Sequence, residues 1–130
     1  MRAALREDPD IISVAELRDL ETIRLALTAA ETGHLILATL HTASAVKSID
    51  RIIDIFPGDE KATMRGLLSE SLLAVIAQRL QHHSSGQRYA EFEILIATPA
   101  IRHLIRENKA AQIYSAMQTG AAVGMCTFTN

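Results

Sequence analysis

The sequence predicts an α/β fold, and three observations carry that prediction. Two short apolar runs with β-branched residues, 11–15 and 35–40, have the length and composition of sheet strands. Segments after each run place apolar residues at helical spacing: Leu20, Ile23, Leu27 and Ala30, then Val46, Ile49, Ile52 and Ile53. Each run also ends on a polar cluster, Glu16 after the first and Thr39 to Thr42 after the second.

The elements follow in order. Residues 3–6 read as the last turns of a helix that Pro9 ends. Residues 11–15 form a first strand, of the kind buried in an α/β sheet. Asp19 suits the cap of the next helix, and Gly33 suits the left-handed position after it. A second strand over 35–40 leads to a helix that Thr42 can cap. Phe56 to Asp59 form a turn. Met64, Leu67, Leu68, Ser71, Leu72, Val75 and Ile76 then share one stripe and predict a long helix. Residues 78–83 and 88–96 flank Ser84-Ser85-Gly86 and read as a hairpin. Thr98-Pro99 opens a further helix in the favoured cap-then-proline order, with Ile101, Leu104 and Ile105 on its buried side. A last helix carries Ala110, Ile113, Tyr114 and Met117. No internal repeat or flexible linker interrupts the 130 residues, which read as one domain.

Ligands of open α/β sheets bind beyond the carboxyl ends of the strands. Glu16 and His41 both fall there, so the two strand ends describe one site with an acid and an imidazole. By spacing alone the pattern also describes a solvated glutamate at a strand exit. Arg18 and Arg24 flank the acid, where they can orient phosphates or form surface ion pairs. Ser44-x-x-Lys47 fits the pattern of penicillin-binding enzymes, but its companion motifs are absent and Ser44 sits in the first turn of an amphipathic helix.

Composition excludes several classes. The net charge is −2 with lysine and arginine scattered, and aromatics make up 4%, so neither a basic track nor a base-stacking platform for nucleic acid is present. Cys126 is the only cysteine, which rules out a disulfide framework and fits a reducing compartment. No apolar run approaches the length of a bilayer span. Arg2, Arg6, Glu7 and Asp8 do not suit a signal peptide. No metal site is expected: His34 and His41 lack further ligands at suitable spacing, and His82 and His83 point to opposite faces of a strand.

The motifs resemble one family throughout. Arg2 to Pro9, Glu16-Leu17-Arg18-Asp19-Leu20-Glu21-Thr22, Gly33-His34 and Thr39-Leu40-His41-Thr42 are followed by Ile49-Asp50-Arg51, Phe56-Pro57, Ser69-Glu70-Ser71, Ala100 to Glu107 and Met117-Gln118-Thr119-Gly120. In this order they resemble the C-terminal half of the type IV pilus retraction ATPases, within the type II/IV secretion ATPase superfamily. The resemblance implies a partial RecA-like core with a helical C-terminal segment. It implies a hexameric, homo-oligomeric ring that hydrolyses ATP with Mg2+ to retract pili in twitching motility. Such a ring is cytoplasmic, peripheral to the inner membrane and partnered by a pilus platform protein. It also implies roles: Glu16 activates the water, His41 contacts the terminal phosphate or the catalytic acid, and His34 and Arg18 belong to the nucleotide site. Ala100, Ile101, Arg102, Leu104, Ile105, Arg106 and Glu107 form the retraction motif, outside the nucleotide pocket. On the residues alone, His34 equally reads as a hydrogen-bonded histidine at a strand start, and the motif as a packed amphipathic helix.

Departures and gaps shape the expectation. Ala15 stands where the family usually has glycine, and His103 where it usually has asparagine. A single cysteine excludes the tetracysteine zinc module usual in type II secretion ATPases, whereas a PilU-like accessory retraction ATPase stays open as a second alternative. No Gly-x-x-x-x-Gly-Lys-Ser/Thr phosphate loop occurs. Residues 1–130 are therefore expected to be a C-terminal ATPase domain fragment of such a motor that lacks the phosphate-binding loop and is inactive by itself; the alternative is an oligomerisation or partner-binding module.

Overall fold

A computed structural model describes residues 10–128. The helix expected over residues 3–6 lies outside the described residues. Strand β1 (Ile11–Val14) precedes helix α1 (Leu20–Glu31) and strand β2 (Leu35–Ala38). Helices α2 (Ala45–Asp54) and α3 (Lys61–Ser71) follow. Strands β3 (Ala74–His82) and β4 (Arg88–Ile96) lead to helices α4 (Pro99–Arg106) and α5 (Ala110–Gln118) and a short 3₁₀ turn at Ala121–Val123. The α/β class is thus as the sequence predicts, with a helical segment at the C-terminal end.

β1 and β2 pair in parallel from Ile11↔Leu35 to Val14↔Ala38, and α1 provides the crossover. β3 and β4 form a separate antiparallel hairpin from Ala74↔Ile96 to His82↔Arg88. One core joins these units: Ile23 and Leu27 of α1, Ile49 and Ile53 of α2, Leu68 of α3, Leu95 of β4, Ile101 and Ile105 of α4, and Ile113 and Met117 of α5. On α1, α2, α4 and α5 these members recur at four residues, a spacing that turns one stripe toward the interior.

Local signals set several boundaries. The Asp19 carboxylate accepts the Thr22 amide at 2.8 Å and starts α1. That amide also holds the Asp19 carboxyl below the usual carboxylate range. Gly33 takes φ 101° directly after the helix, a left-handed conformation that a side chain would oppose. Thr98 accepts the Ile101 amide at 3.3 Å, with Pro99 opening α4. Gly86 takes φ 86° in the hairpin turn.

Three expectations are corrected. Helix α3 does not continue to Ile76. It ends at Ser71, Leu72 turns to ψ 133°, and Val75 and Ile76 enter β3. The stripe of Leu72, Val75 and Ile76 also fits a strand, and pairing with β4 decides the conformation. Thr42 does not cap α2. Ser44 does, accepting the Lys47 amide at 3.1 Å, while the Thr42 hydroxyl lies 2.6 Å from that of Ser48. Finally, β1 and β2 are buried on one face only: Ile12 is 4% exposed, but Ile11 and Leu37 are 59% and 54% exposed. Among the described residues, the helices cover one side of this sheet.

Asp50 sits half-buried on α2, and its carboxyl is raised above the usual range by burial and by the neighbouring Asp54, against a smaller opposing effect of Arg65. A carboxyl with a raised folded-state value stabilises the fold below its unfolded value. That contribution is lost as pH rises through the folded value. Asp50→Asn is therefore expected to raise the melting temperature at neutral pH and to change it little in acid. Thermal unfolding across this range checks the sign.

Candidate functional site

The parallel register positions the site. Beyond Val14 and Ala38 the two loops remain joined: Leu17 N–H donates to the Thr39 carbonyl at 2.9 Å, and the Thr39 hydroxyl donates to the Ala15 carbonyl. Glu16 and His41 project from these joined loops. His41 Nε2 lies 3.5 Å from Glu16 Oε1. On the other side, Arg18 Nε donates to Glu16 Oε2 at 2.8 Å. The glutamate side chain is 26% exposed and that of His41 is 84% exposed. A carboxylate is thus fixed by one cation at one oxygen and faces an accessible imidazole with the other. This arrangement can present a carboxylate oxygen and an imidazole nitrogen together to a water or a ligand oxygen beside them. Next to it, an open groove of about 470 Å³ runs along the length of α2, lined by His41, Thr42, Ala43, Lys47, Asp50, Arg51 and Asp54.

The remaining sequence-predicted residues lie elsewhere. His34 stands at the amino end of β2, opposite the end that carries His41. Its Nδ1 lies 3.0 Å from the Ala29 carbonyl and 3.3 Å from the Thr32 hydroxyl. The structure does not bring it to Glu16, and the plain reading of a hydrogen-bonded histidine at a strand start describes its contacts. Arg24 does not approach the acid either. It donates both terminal nitrogens to Glu60, at 2.7 and 3.2 Å, and stacks over Phe56 at 5.4 Å. This pairing raises the Arg24 guanidinium value and holds the Glu60 carboxyl below its usual range.

The Ala100–Glu107 motif spans most of α4 and lies away from this cluster. Ile101 and Ile105 are 0% and 1% exposed and Leu104 packs against the core, so the apolar side faces inward. Arg102 Nη1 donates to the carbonyls of Ser69 and Glu70 at 2.8 and 2.9 Å. It thereby caps the end of α3, where free carbonyls and the helix dipole favour a cation. Ala100, His103, Arg106 and Glu107 are exposed. Arg102 and Arg106 share a face, yet only Arg102 is engaged with α3.

One residue outside the predicted set belongs beside the site. Glu93 is 2% exposed, and its Oε1 accepts the Ala45 amide at 2.9 Å at the start of α2. The sequence holds a signal for it. Period-two alternation along β4 puts Glu93 on the same face as the buried Leu95, and a carboxylate in such company needs partners.

Parallel strands joined by a helix, with an acid–imidazole pair beyond their carboxyl ends, define a protein of the α/β class whose candidate site lies at the carboxyl edge of its strands. The family profile for type II/IV secretion system proteins matches residues 1–98, and the chain belongs to that family. It is 65% identical over 127 residues to the type IV pilus retraction ATPase PilT of Pseudomonas aeruginosa, covering 98% of this chain and 37% of that protein. It is 61% identical over 128 residues to the twitching motility protein of Neisseria gonorrhoeae, covering 98% of this chain and 34% of that protein. The crystal structure of the pilus retraction motor PilT with bound ADP matches with a TM-score of 0.84 and 55% identity, over 91% of this chain and 34% of that one. The chain spans about a third of the length of these relatives.

Because Arg102 caps α3 and Arg106 does not, the two should differ in stability. Arg102→Ala is expected to cost ~1–3 kcal/mol through the lost charge-assisted hydrogen bonds. Arg106→Ala is expected to stay within ~0.5 kcal/mol of the parent. Urea unfolding of both variants checks the difference.

Proposed function

We propose that this chain is the C-terminal ATPase segment of a motor that retracts type IV pili by hydrolysing ATP. The single observation that carries the reading is the Glu16–His41 pair, held beyond a parallel strand pair in a chain 65% identical to PilT. Its working form is a homo-oligomeric ring, a hexamer. The ring lies in the cytoplasm, peripheral to the inner membrane, and works against an inner-membrane pilus platform protein. Among the described residues, no helix is long and apolar enough to cross a membrane.

Glu16 takes the role of the general base that orients the attacking water and accepts its proton. Arg18 fixes one carboxylate oxygen and so aims the other. His41, nearly free in solvent, contacts the terminal phosphate or passes its state to Glu16. When bound, ATP supplies the phosphoanhydride and Mg2+ the neutralising charge. The residues present fit the water side of this reaction. Apart from His41 at the terminal phosphate, they do not fit the triphosphate side, because no phosphate loop occurs and the Ala45 amide at the α2 start is already taken by Glu93. No binding step is therefore assigned to this chain, and by itself it does not hydrolyse ATP. In the retraction motif, coupling to pilus movement falls to the exposed Arg106, while Arg102, Ile101, Leu104 and Ile105 dock the helix.

The test uses a chimera in which this chain replaces the matching third of a full-length relative. Glu16→Gln should lower ATP turnover by ~10²–10⁴ while ATP binding persists. Turnover near the parent rate would reject the assignment.

A further inference from the structure

A buried carboxylate is costly unless each oxygen finds a donor. Glu93 solves this with two main-chain amides from distant parts of the chain. Oε1 accepts from Ala45, the first residue of α2, at 2.9 Å, and Oε2 accepts from Phe128 at 3.2 Å. Across the hairpin its register partner is Ala77, 6% exposed, whose small side chain leaves room for the carboxylate. The positive end of the α2 dipole adds to the fit on the Ala45 side.

Both partners are themselves anchored. The Cys126 amide donates to the Ile94 carbonyl at 3.1 Å, and the Ile94 amide donates to the Cys126 carbonyl at 2.9 Å. These two bonds lay residues 126–128 along β4. The ring of Phe128 lies 4.4 Å from the Arg79 guanidinium, and Arg79 Nε donates to Glu91 at 3.0 Å. On the other side, Ala45 follows Ser44, and the loop from His41 to Ser44 is short. Two hydroxyls stiffen it, those of Thr42 and Ser48, 2.6 Å apart. The start of α2 thus lies only four residues from His41.

We infer that Glu93 is a positioning residue for the His41 loop, and that it makes the placement of this loop depend on the seating of residues 126–128. One carboxylate ties the C-terminal strap to the side chain facing Glu16. The consequence for catalysis rests on the reading of Glu16 and His41 given above. The link itself does not, so the two can fail separately.

Amide hydrogen exchange and resonance positions of the 130-residue chain test the link. In the parent chain both the Ala45 and Phe128 amides should be protected; free exchange at either would overturn the inference. Glu93→Gln keeps shape but offers one acceptor oxygen, so exchange at one of the two amides should speed by about tenfold or more. Phe128→Pro removes the donor on Oε2. It should shift the Ala45 and His41 resonances while the Leu95 and Ile105 amides of the core stay protected. A role confined to local packing would leave His41 unmoved by a change at Phe128. Unchanged exchange at both the Ala45 and Phe128 amides in Glu93→Gln, or unchanged His41 resonances in Phe128→Pro with the core intact, contradicts the link. If Phe128→Pro loses the core, the parent-chain and Glu93→Gln measurements decide alone. The Glu16→Gln turnover of the chimera reports on the functional reading without involving Glu93.

Discussion

The parallel pairing of β1 with β2 is the constraint on which the rest depends. Its register fixes Val14 beside Ala38, and the bonds from Leu17 and Thr39 carry the pairing past the strand ends, to Leu17 on one side and Thr39 on the other. Glu16 and His41 are 25 positions apart in sequence, yet this pairing places their side chains 3.5 Å apart. A slip of one residue would turn every side chain of a strand to the opposite face and remove Ile12 from the core. The site and the burial of β1 are therefore consequences of one register.

The helices serve that pairing in different ways. α1 returns the chain to the start of β2, and Arg24 ties it to Glu60 and Phe56 at the far side of α2. α2 begins where the His41 loop ends, and Ser44 and Glu93 share its first amides. α4 is held to α3 by its apolar side and by Arg102, which leaves Arg106 exposed. The Glu16–His41 pair and the exposed face of α4 thus sit in separate parts of the fold, joined through the common core. Under the proposed function, that separation would keep the site of hydrolysis apart from the surface that transmits force.

Much of this was legible in the sequence because it is local. The Asp19 cap, the Thr98-Pro99 start, the left-handed Gly33 and the Ser84-Ser85-Gly86 turn each depend on a few neighbouring residues. The pairing of Glu16 with His41 was legible because strand ends in α/β sheets converge. The end of α3 was not, since a stripe of leucine, valine and isoleucine fits both helix and strand until β4 supplies a partner. Ser44 and Thr42 are both good caps, and only the extended backbone at Ser44 selects between them. The exposure of Ile11 and Leu37, the retreat of His34 to Ala29 and the engagement of Arg24 by Glu60 are all long-range or tertiary outcomes. Glu93 carried a signal only in combination, an acid at an inward register position opposite a small residue.

The central claim is that Glu16 and His41 act as one unit. A double-mutant cycle in the chimera tests it most directly, with ATP turnover measured for Glu16→Gln, His41→Ala and the pair. Acting as a unit, they should be strongly non-additive, with the double variant within a few-fold of the slower single variant. Losses that multiply, as for independent sites, would contradict the account.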